Sequence, residues 1–359
     1  MIELSNIWNL AASMNNCRSP WDSEVYIIAE LSSNHAKDKN IALKSIEAAA
    51  KAGVSAVKTQ LFTAETLGIP SRDKSPVIDD PHSPWANQTL YDLYEDAALP
   101  YSWYPDLIKC AEFNNVDLFA SVFDDSSIDA AIRFEFKVFK VSSFELIHTP
   151  LLKIISLCGY PTILSTGMAS LKEIESAYSI FSQANVSTCF LQCTSDYPAS
   201  LTDTHVYQMK LLGEHLQTSV GLSDHSLSNL PAIASVALGA RVVEKHFILD
   251  KSITTPDSFF SLTAEEFCSL VQSIRDTEQI ISQKNLPDGV IDVEKHSYWE
   301  RPSLYASRDL PANTQLGPND IIIRRPSLGI PANKYDSVLG KYLRTDLKMY
   351  SPLKAHDLR

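Results

Sequence analysis

The 359 residues are 45% hydrophobic and 21% charged, with 31 Lys and Arg against 43 Asp and Glu for a formal net charge of −12. That profile excludes a chain disordered along its length and leaves room for two or three domains of roughly 100–200 residues. A general nucleic-acid or anionic-membrane binder would have to hide a basic patch inside this acidic chain, so a small-molecule enzyme fits better and no nucleic-acid partner is expected.

At the start, MIELSNIWNLAASMNNCRSP carries Glu3 where a secretory signal has positive charge, and it lacks a continuous apolar stretch. A cytoplasmic protein is expected, and residues 1–24 receive no function. The best candidate for a membrane span, Leu230 to Ala240, is interrupted by Ser235 and stopped by Arg241, well short of the roughly 20 residues needed. The cysteines, at positions 17, 110, 158, 189, 193 and 268, read as reduced core residues rather than a disulfide framework. Cys189 and Cys193, four apart in CFLQC, lack the zinc-knuckle spacing and read as core packing rather than metal ligands.

Short β-branched and aromatic runs recur along the chain, each followed by a longer segment with helical periodicity. The predicted strands are Val25–Leu31, Ala56–Phe62, Asp117–Phe123, Val138–Phe144, Pro161–Thr166, Thr188–Thr194, Ser219–Asp224 and Arg241–Phe247. Amphipathic stretches such as IALKSIEAAAKAG and LLKIISLCG lie between them, with Gly53 and Gly159 as natural C-terminal stops. Eight such units make a (β/α)8 TIM barrel. A doubly wound open sheet is the competing arrangement, but neither G-x-G-x-x-G nor G-x-x-x-x-G-K-[ST] occurs. The barrel is set at residues 25–284, closing with a helix over Ala264–Ser282. Residues 285–300 read as a linker, and from Arg301 short strand-like pieces broken by Pro302, Pro311, Pro318, Pro326 and Pro331 define a small β-rich domain over 301–359.

In a parallel barrel, catalytic groups sit at the C-terminal ends of the strands. There the sequence places Glu30, Lys58, Gln60, Ser121, Lys140, Ser143, Glu145, Ser165, Thr166, Thr194, Ser223, His225, Glu244 and His246. His225 and His246 end consecutive strands, so their imidazoles stand on adjacent staves and could share one divalent cation, with Asp257 and Glu30 nearby; Mn2+, Mg2+, Co2+ and Zn2+ are all admissible. Lys58 and Lys140, with Ser143, Ser165, Thr166 and Ser223, make a donor-rich pocket suited to a compact, multiply charged anion such as a phosphorylated carboxylate. A Schiff-base lysine is the other use of the same residue type.

Taken in order, IIAELSSNH, AVKTQLF, FKVSSFE, ILSTGMAS, QCTSDYPA, VGLSDHSL, ALGARVVEKHF and PDSFFSL resemble the nonulosonate (sialic acid) synthases. The tail RPSLYASRDLPANTQLGPNDIIIRRPSLGI resembles their C-terminal SAF, or antifreeze-like, domain. TLYDLYEDA and PDSFFSL, with Ser258 after the Pro-Asp pair where other branches more often have histidine, resemble the branch that makes pseudaminic acid. The resemblance implies a transferase condensing phosphoenolpyruvate with 2,4-diacetamido-2,4,6-trideoxy-L-altrose and releasing phosphate, for cell-surface glycan or flagellin glycosylation. It implies His225 and His246 as metal ligands, with Mn2+ the usual ion and Mg2+ or Co2+ alternatives. Lys58, Lys140, Ser143, Ser165 and Ser223 would hold phosphoenolpyruvate. Glu30 and Asp257 would contact the sugar or a metal-bound water, Glu145 would be the acid/base, and Tyr197 would line the sugar site. Arg325 would reach into the other subunit of a domain-swapped homodimer to hold an N-acetyl group. Thr254 and Thr255, where relatives commonly have glycines, would narrow the loop before Pro256. The rivals are a synthase of the same chemistry using a mannose-type sugar to give N-acetylneuraminate or legionaminate, and a silent barrel whose SAF domain serves binding or assembly.

Overall fold

The computed structural model describes residues 19–81, 83, 85–283 and 291–359. The chain divides into two compact units, the first ending at Ser282 and the second spanning Gln283–Arg359. Residues 1–18, which carry Cys17 and most of the segment left without a function, and residues 284–290, the last of the expected barrel and the first six of the expected linker, lie outside the described residues.

In the first unit, β1 (Tyr26–Glu30), β2 (Ala56–Leu61), β3 (Asp117–Val122), β4 (Phe139–Val141), β5 (Thr162–Ser165), β6 (Thr188–Cys193), β7 (Ser219–Asp224) and β8 (Val242–His246) pair in parallel, in sequence order, into a closed barrel. Each falls within its predicted run, trimmed by a residue or more at the ends except in β7. The ring closes between β1 and β8, where Glu30 stands opposite His246 while its other neighbour is Lys58.

Several of the helices form where an apolar stripe meets a side-chain cap. Helix α1 (Lys39–Lys51) starts at Asp38, whose carboxylate accepts from Asn40 N, buries Ala42, Ile46 and Ala49, and gives way to Gly53 at φ +88°. Three helices, α2 (Ala64–Leu67), α3 (Leu90–Ala97) and α4 (Tyr104–Phe113), follow β2. After them come α5 (Asp125–Arg133), α6 (Thr149–Cys158), α7 (Leu171–Gln183), α8 (Val206–Leu216), α9 (Leu230–Ala237) and α10 (Ala264–Ile280). Gly159 terminates α6 at φ 75°, the left-handed conformation that a Cβ penalises. Reciprocal capping boxes, Ser170 with Glu173 and Thr263 with Glu266, open α7 and α10. Ahead of the barrel, Trp21 is fully buried and its carbonyl oxygen accepts from both Nε and Nη2 of Arg241.

Residues Asp292–Glu300, within the expected linker, are 3-10 turns. Beyond them, β9 (Ser303–Ala306) and β10 (Ile321–Arg324) form a two-stranded antiparallel sheet over a separate core of Leu304, Leu310, Leu316, Ile321, Leu343 and Leu353. The remaining pairings are single bridges such as Leu310 with Leu347 and Leu343 with Leu358. The domain is thus less regular than strand-like pieces imply, as expected of a chain whose prolines remove ladder donors.

Candidate active site

A cavity of about 590 Å3 opens at the C-terminal ends of the barrel strands. A larger cavity of about 790 Å3 lies at the opposite end, around Ser187, Thr218 and Arg241. Its one charged side chain is already bonded to Trp21, so the titratable groups select the first cavity.

The floor is a buried charge cluster. Lys58 Nζ stands 3.1 Å from Glu30 Oε2 and 3.3 Å from Glu244 Oε1, and it donates to Ser121 Oγ at 3.2 Å. Lys140 Nζ donates to Ser165 Oγ at 2.8 Å and to Val141 O at 3.0 Å, and lies 3.9 Å from Glu244 Oε1. Ser223 Oγ donates to the same Glu244 oxygen at 3.2 Å, and Ser143 Oγ accepts from Gly167 N at 3.0 Å. Gly167 has no room for a side chain, because a Cβ there would stand 2.4 Å from Ser195 Oγ and 2.8 Å from Ser143 Oγ.

Burial disfavours every charge in this cluster, and the neighbours decide which survive. Burial acts against the Lys58 ammonium, but Glu244 and Glu30 more than offset it and its pKa rises. Burial wins at Lys140, whose pKa falls. Glu244 would be pushed up by burial, but Lys140 and Lys58 hold it below the usual carboxylate range. Glu30 is pushed up to about 7, chiefly by burial and also by Glu244, against the pull of Lys58 and of Gln60, which donates to it at 2.7 Å.

His225 and His246 meet at the rim with ring centroids 5.4 Å apart. His225 Nδ1 donates to Thr194 O at 2.8 Å, which makes Nδ1 the protonated nitrogen and leaves the lone pair of the neutral ring on Nε2. Burial acts against its charged form, but the Cys193 thiol bonded to this ring and the Thr194 carbonyl more than offset it and raise its pKa. His246 Nδ1 is buried without a hydrogen-bond partner. Two buried imidazoles, one oriented by a carbonyl and one with an orphaned nitrogen, fit a divalent cation. Among the described residues no group of three or more His, Cys, Asp and Glu is placed to hold a metal, so its other ligands would come from substrate or water.

Asp257 lies on the loop after β8 and accepts from Ser33 Oγ at 2.8 Å and Ser33 N at 3.3 Å. Tyr197 packs on the His225 ring at 4.3 Å and on Phe260 at 5.1 Å. Glu145 is bonded to the Ser142 hydroxyl, and burial raises its pKa. Among the predicted residues, Glu30, Lys58, Lys140, Ser143, Glu145, Ser165, Tyr197, Ser223, His225, His246 and Asp257 all line this one cavity. Arg325 belongs to the second unit, exposed just after β10.

Some groups at the site carry no clear sequence signal. Cys193, read as core packing, instead lines the cavity beside His225 and Ser143. It ends β6 facing inward, and its thiol is lowered to about 7 because burial, which raises it, is outweighed by His225, Ser143 and Lys140. Asn34, fully buried, donates to Phe247 O and Ser261 Oγ, both at 2.8 Å, and accepts from Thr255 Oγ1 at 2.5 Å. Thr255 therefore ties its loop to the segment after β1. Trp85, far from any predicted strand, donates from Nε1 to Pro256 O at 3.0 Å and meets Tyr197 edge-on at 5.8 Å.

Residues 45–285 match the NeuB family and residues 301–359 match the SAF domain. A protein named pseudaminic acid synthase from Campylobacter jejuni serotype O:2 is 37% identical over 342 residues, 94% of this chain and 98% of that one. From the same organism, N,N'-diacetyllegionaminic acid synthase is 33% identical, covering 90% and 96%. The crystal structure of N-acetylneuraminic acid synthetase from Leptospira borgpetersenii superposes with a TM-score of 0.69 at 27% identity, covering 77% of this chain and 91% of that one. The expected transferase class stands with this kinship, and so does the TIM barrel followed by a small antiparallel domain. The chain belongs to the NeuB family, with a SAF domain after its barrel.

Proposed function

We propose that the chain is a pseudaminic acid synthase, condensing phosphoenolpyruvate with 2,4-diacetamido-2,4,6-trideoxy-L-altrose and water to give pseudaminic acid and phosphate. The carrying observation is the placing of Lys58 and Lys140, among Ser121, Ser143, Ser165 and Ser223, in one cavity with the histidine pair. Two ammonium groups with hydroxyl donors suit the phosphate and carboxylate of phosphoenolpyruvate. Their carboxylate neighbours keep Lys58 charged before the anion arrives. The choice of sugar rests on the higher identity to pseudaminic acid synthase and on Ser258 after Pro256-Asp257.

In this reading C3 of phosphoenolpyruvate forms the new bond to the aldehyde carbon of the open-chain sugar. Water then adds at C2, and the tetrahedral adduct loses phosphate by C–O cleavage. Lys58 and Lys140 position the anion and screen its repulsion from Glu30 and Glu244. Glu30 and Asp257 hold sugar hydroxyls, with Tyr197 as a wall. Glu145, whose pKa burial raises, serves as acid/base for the incoming water. His225 and His246 would hold the divalent ion, Mn2+ first and Mg2+ or Co2+ next, and a cation there supplies Lewis-acid stabilisation of charge developing on the sugar oxygen. Arg325 of a second subunit would hold an N-acetyl group, which makes the working form a domain-swapped cytoplasmic homodimer. Among the described residues no helix is long and apolar enough to cross a membrane.

Phosphate release from phosphoenolpyruvate with Mn2+ tests this, comparing the altrose diamide, the legionaminate precursor and N-acetylmannosamine, with a chelator control. Release with the altrose sugar alone, abolished by chelator, is expected. Release only with a mannose-type sugar keeps the chemistry and overturns the sugar; no release with any sugar overturns the function.

A further inference from the structure

The cavity is lined by apolar side chains as well as by the charge cluster, and phosphoenolpyruvate accounts for only the charged ones. The segment after β2, with Phe123 just past β3, contributes Phe62, Leu67, Ile78, Leu93, Tyr94 and Phe123 to the lining of the same cavity. The arc is built rather than incidental. Phe62 and Phe123 meet edge-on at 5.5 Å, Phe62 and Tyr94 at 6.2 Å, and Phe62, Leu93 and Phe123 are buried. Ile78 is held by a two-way pairing, its N donating to Gln88 O at 2.9 Å and its O accepting from Asn87 N at 2.8 Å. Trp85 then fastens this segment across the mouth to the Pro256 carbonyl and against Tyr197.

We propose that this apolar arc is a subsite for a methyl-bearing part of the second substrate, the deoxy carbon or an acyl methyl, and that it selects sugars carrying such groups over hydroxylated counterparts. The proposal rests on the function assigned above. The reason is desolvation: a hydroxyl placed against Phe62, Leu93 and Phe123 leaves water and finds no partner, whereas a methyl gains contact with every ring and side chain it meets. An apolar pocket rejects an added hydroxyl only modestly, by up to about 100-fold, so a selective but not absolute preference follows.

The test uses the full-length protein and Ile78→Ala and Leu67→Ala, both at half-buried positions where truncation spares the core. Phosphate release is measured with the 6-deoxy diacetamido sugar, its 6-hydroxy counterpart and its N-formyl counterpart. About a tenfold loss of kcat/KM on the 6-deoxy sugar, with a smaller loss on the 6-hydroxy one and an unchanged KM for phosphoenolpyruvate, places the C6 methyl in the arc. The same differential between the acetyl and formyl sugars places an acyl methyl there. Equal losses on all three sugars, or a raised KM for phosphoenolpyruvate, overturn the subsite while leaving the function intact. If the unsubstituted protein turns over none of these sugars, both the function and the subsite fall.

Discussion

Replacing Lys245 by Met should be among the most damaging single changes outside the cavity. Lys245 faces away from the barrel interior, and its Nζ donates to Asp224 Oδ2 at 2.7 Å, to Ser226 O at 2.5 Å and to Ser228 O at 3.2 Å. Both side chains are buried, the lysine 1% and the aspartate 0% exposed, so no water can replace the missing ammonium. Removing one partner of such a pair costs about 3–5 kcal/mol, because the other charge stays buried and unpaired. That is about a 150- to 5,000-fold loss in the folding equilibrium. Removing the charge on both sides, Asp224→Asn with Lys245→Met, should recover all but about 1–2 kcal/mol, the remainder being the Ser226 carbonyl left without the lysine donor, since Ser228 O still accepts from Ser226 Oγ at 3.1 Å. Urea unfolding of the two variants, the Asp224→Asn single change and the parent protein completes the cycle. Asp224 and Lys245 immediately precede His225 and His246, so the Lys245 variant should also bind Mn2+ more weakly in a calorimetric titration. A Lys245→Met stability within about 0.5 kcal/mol of the parent, or a double variant no better than the single one, would refute this account.

A methyl group added at Gly221 should cost about 1–3 kcal/mol or more, because its Cβ would stand 2.2 Å from Val242 O and the β7–β8 spacing would have to open by about 1 Å; urea unfolding of Gly221→Ala reads this directly. Lys140→Met should raise the KM for phosphoenolpyruvate by roughly 10–100-fold, the worth of one charge-assisted bond, in steady-state phosphate release with the sugar saturating. His35 is fully buried; its pKa is lowered, chiefly by burial, and its Nδ1 accepts from Lys37 N. The unfolded chain therefore takes up this proton first, so the contribution of His35 is complete above about pH 6.5 and is lost as pH falls through its depressed folded value. The slope of stability against pH below 6.5 should flatten in His35→Asn by at most about 1.4 kcal/mol per pH unit, and an unchanged slope would remove His35 as the cause.

The barrel was legible in the sequence because each strand is a short apolar run ending in polar residues, and those ends are where the site lies. Period-two alternation carried this furthest in VVEKHF, where Glu244 and His246 face the cavity. The same alternation sends Lys245 outward, and nothing in one strand announces that Asp224 waits beside it in register on the next. Cross-strand partners depend on register, which single-sequence periodicity does not carry. Trp85 and the arc residues Leu67, Ile78, Leu93 and Tyr94 escaped for another reason. They sit in a long connection between β2 and α4 whose short helices match no barrel unit, and only the folded chain brings them over the mouth. Cys193 looked like core because an inward residue at a strand's C-terminal end has the same neighbours in sequence whether it packs or lines a cavity.

Closure of the ring between β1 and β8 sets Glu30, from the beginning of the barrel, beside His246, from its end. More than two hundred residues of chain separate the two halves of what a ligand meets as one surface. The cavity does not grow in gradually as strands are added; it comes into being with the last one, so a barrel lacking β8 would have a split site rather than a weakened one. Anything that binds across the seam acts as a clasp, resisting the separation of first strand from last by mass action. Occupancy of the active site and integrity of the barrel are in that sense one equilibrium, read from its two ends.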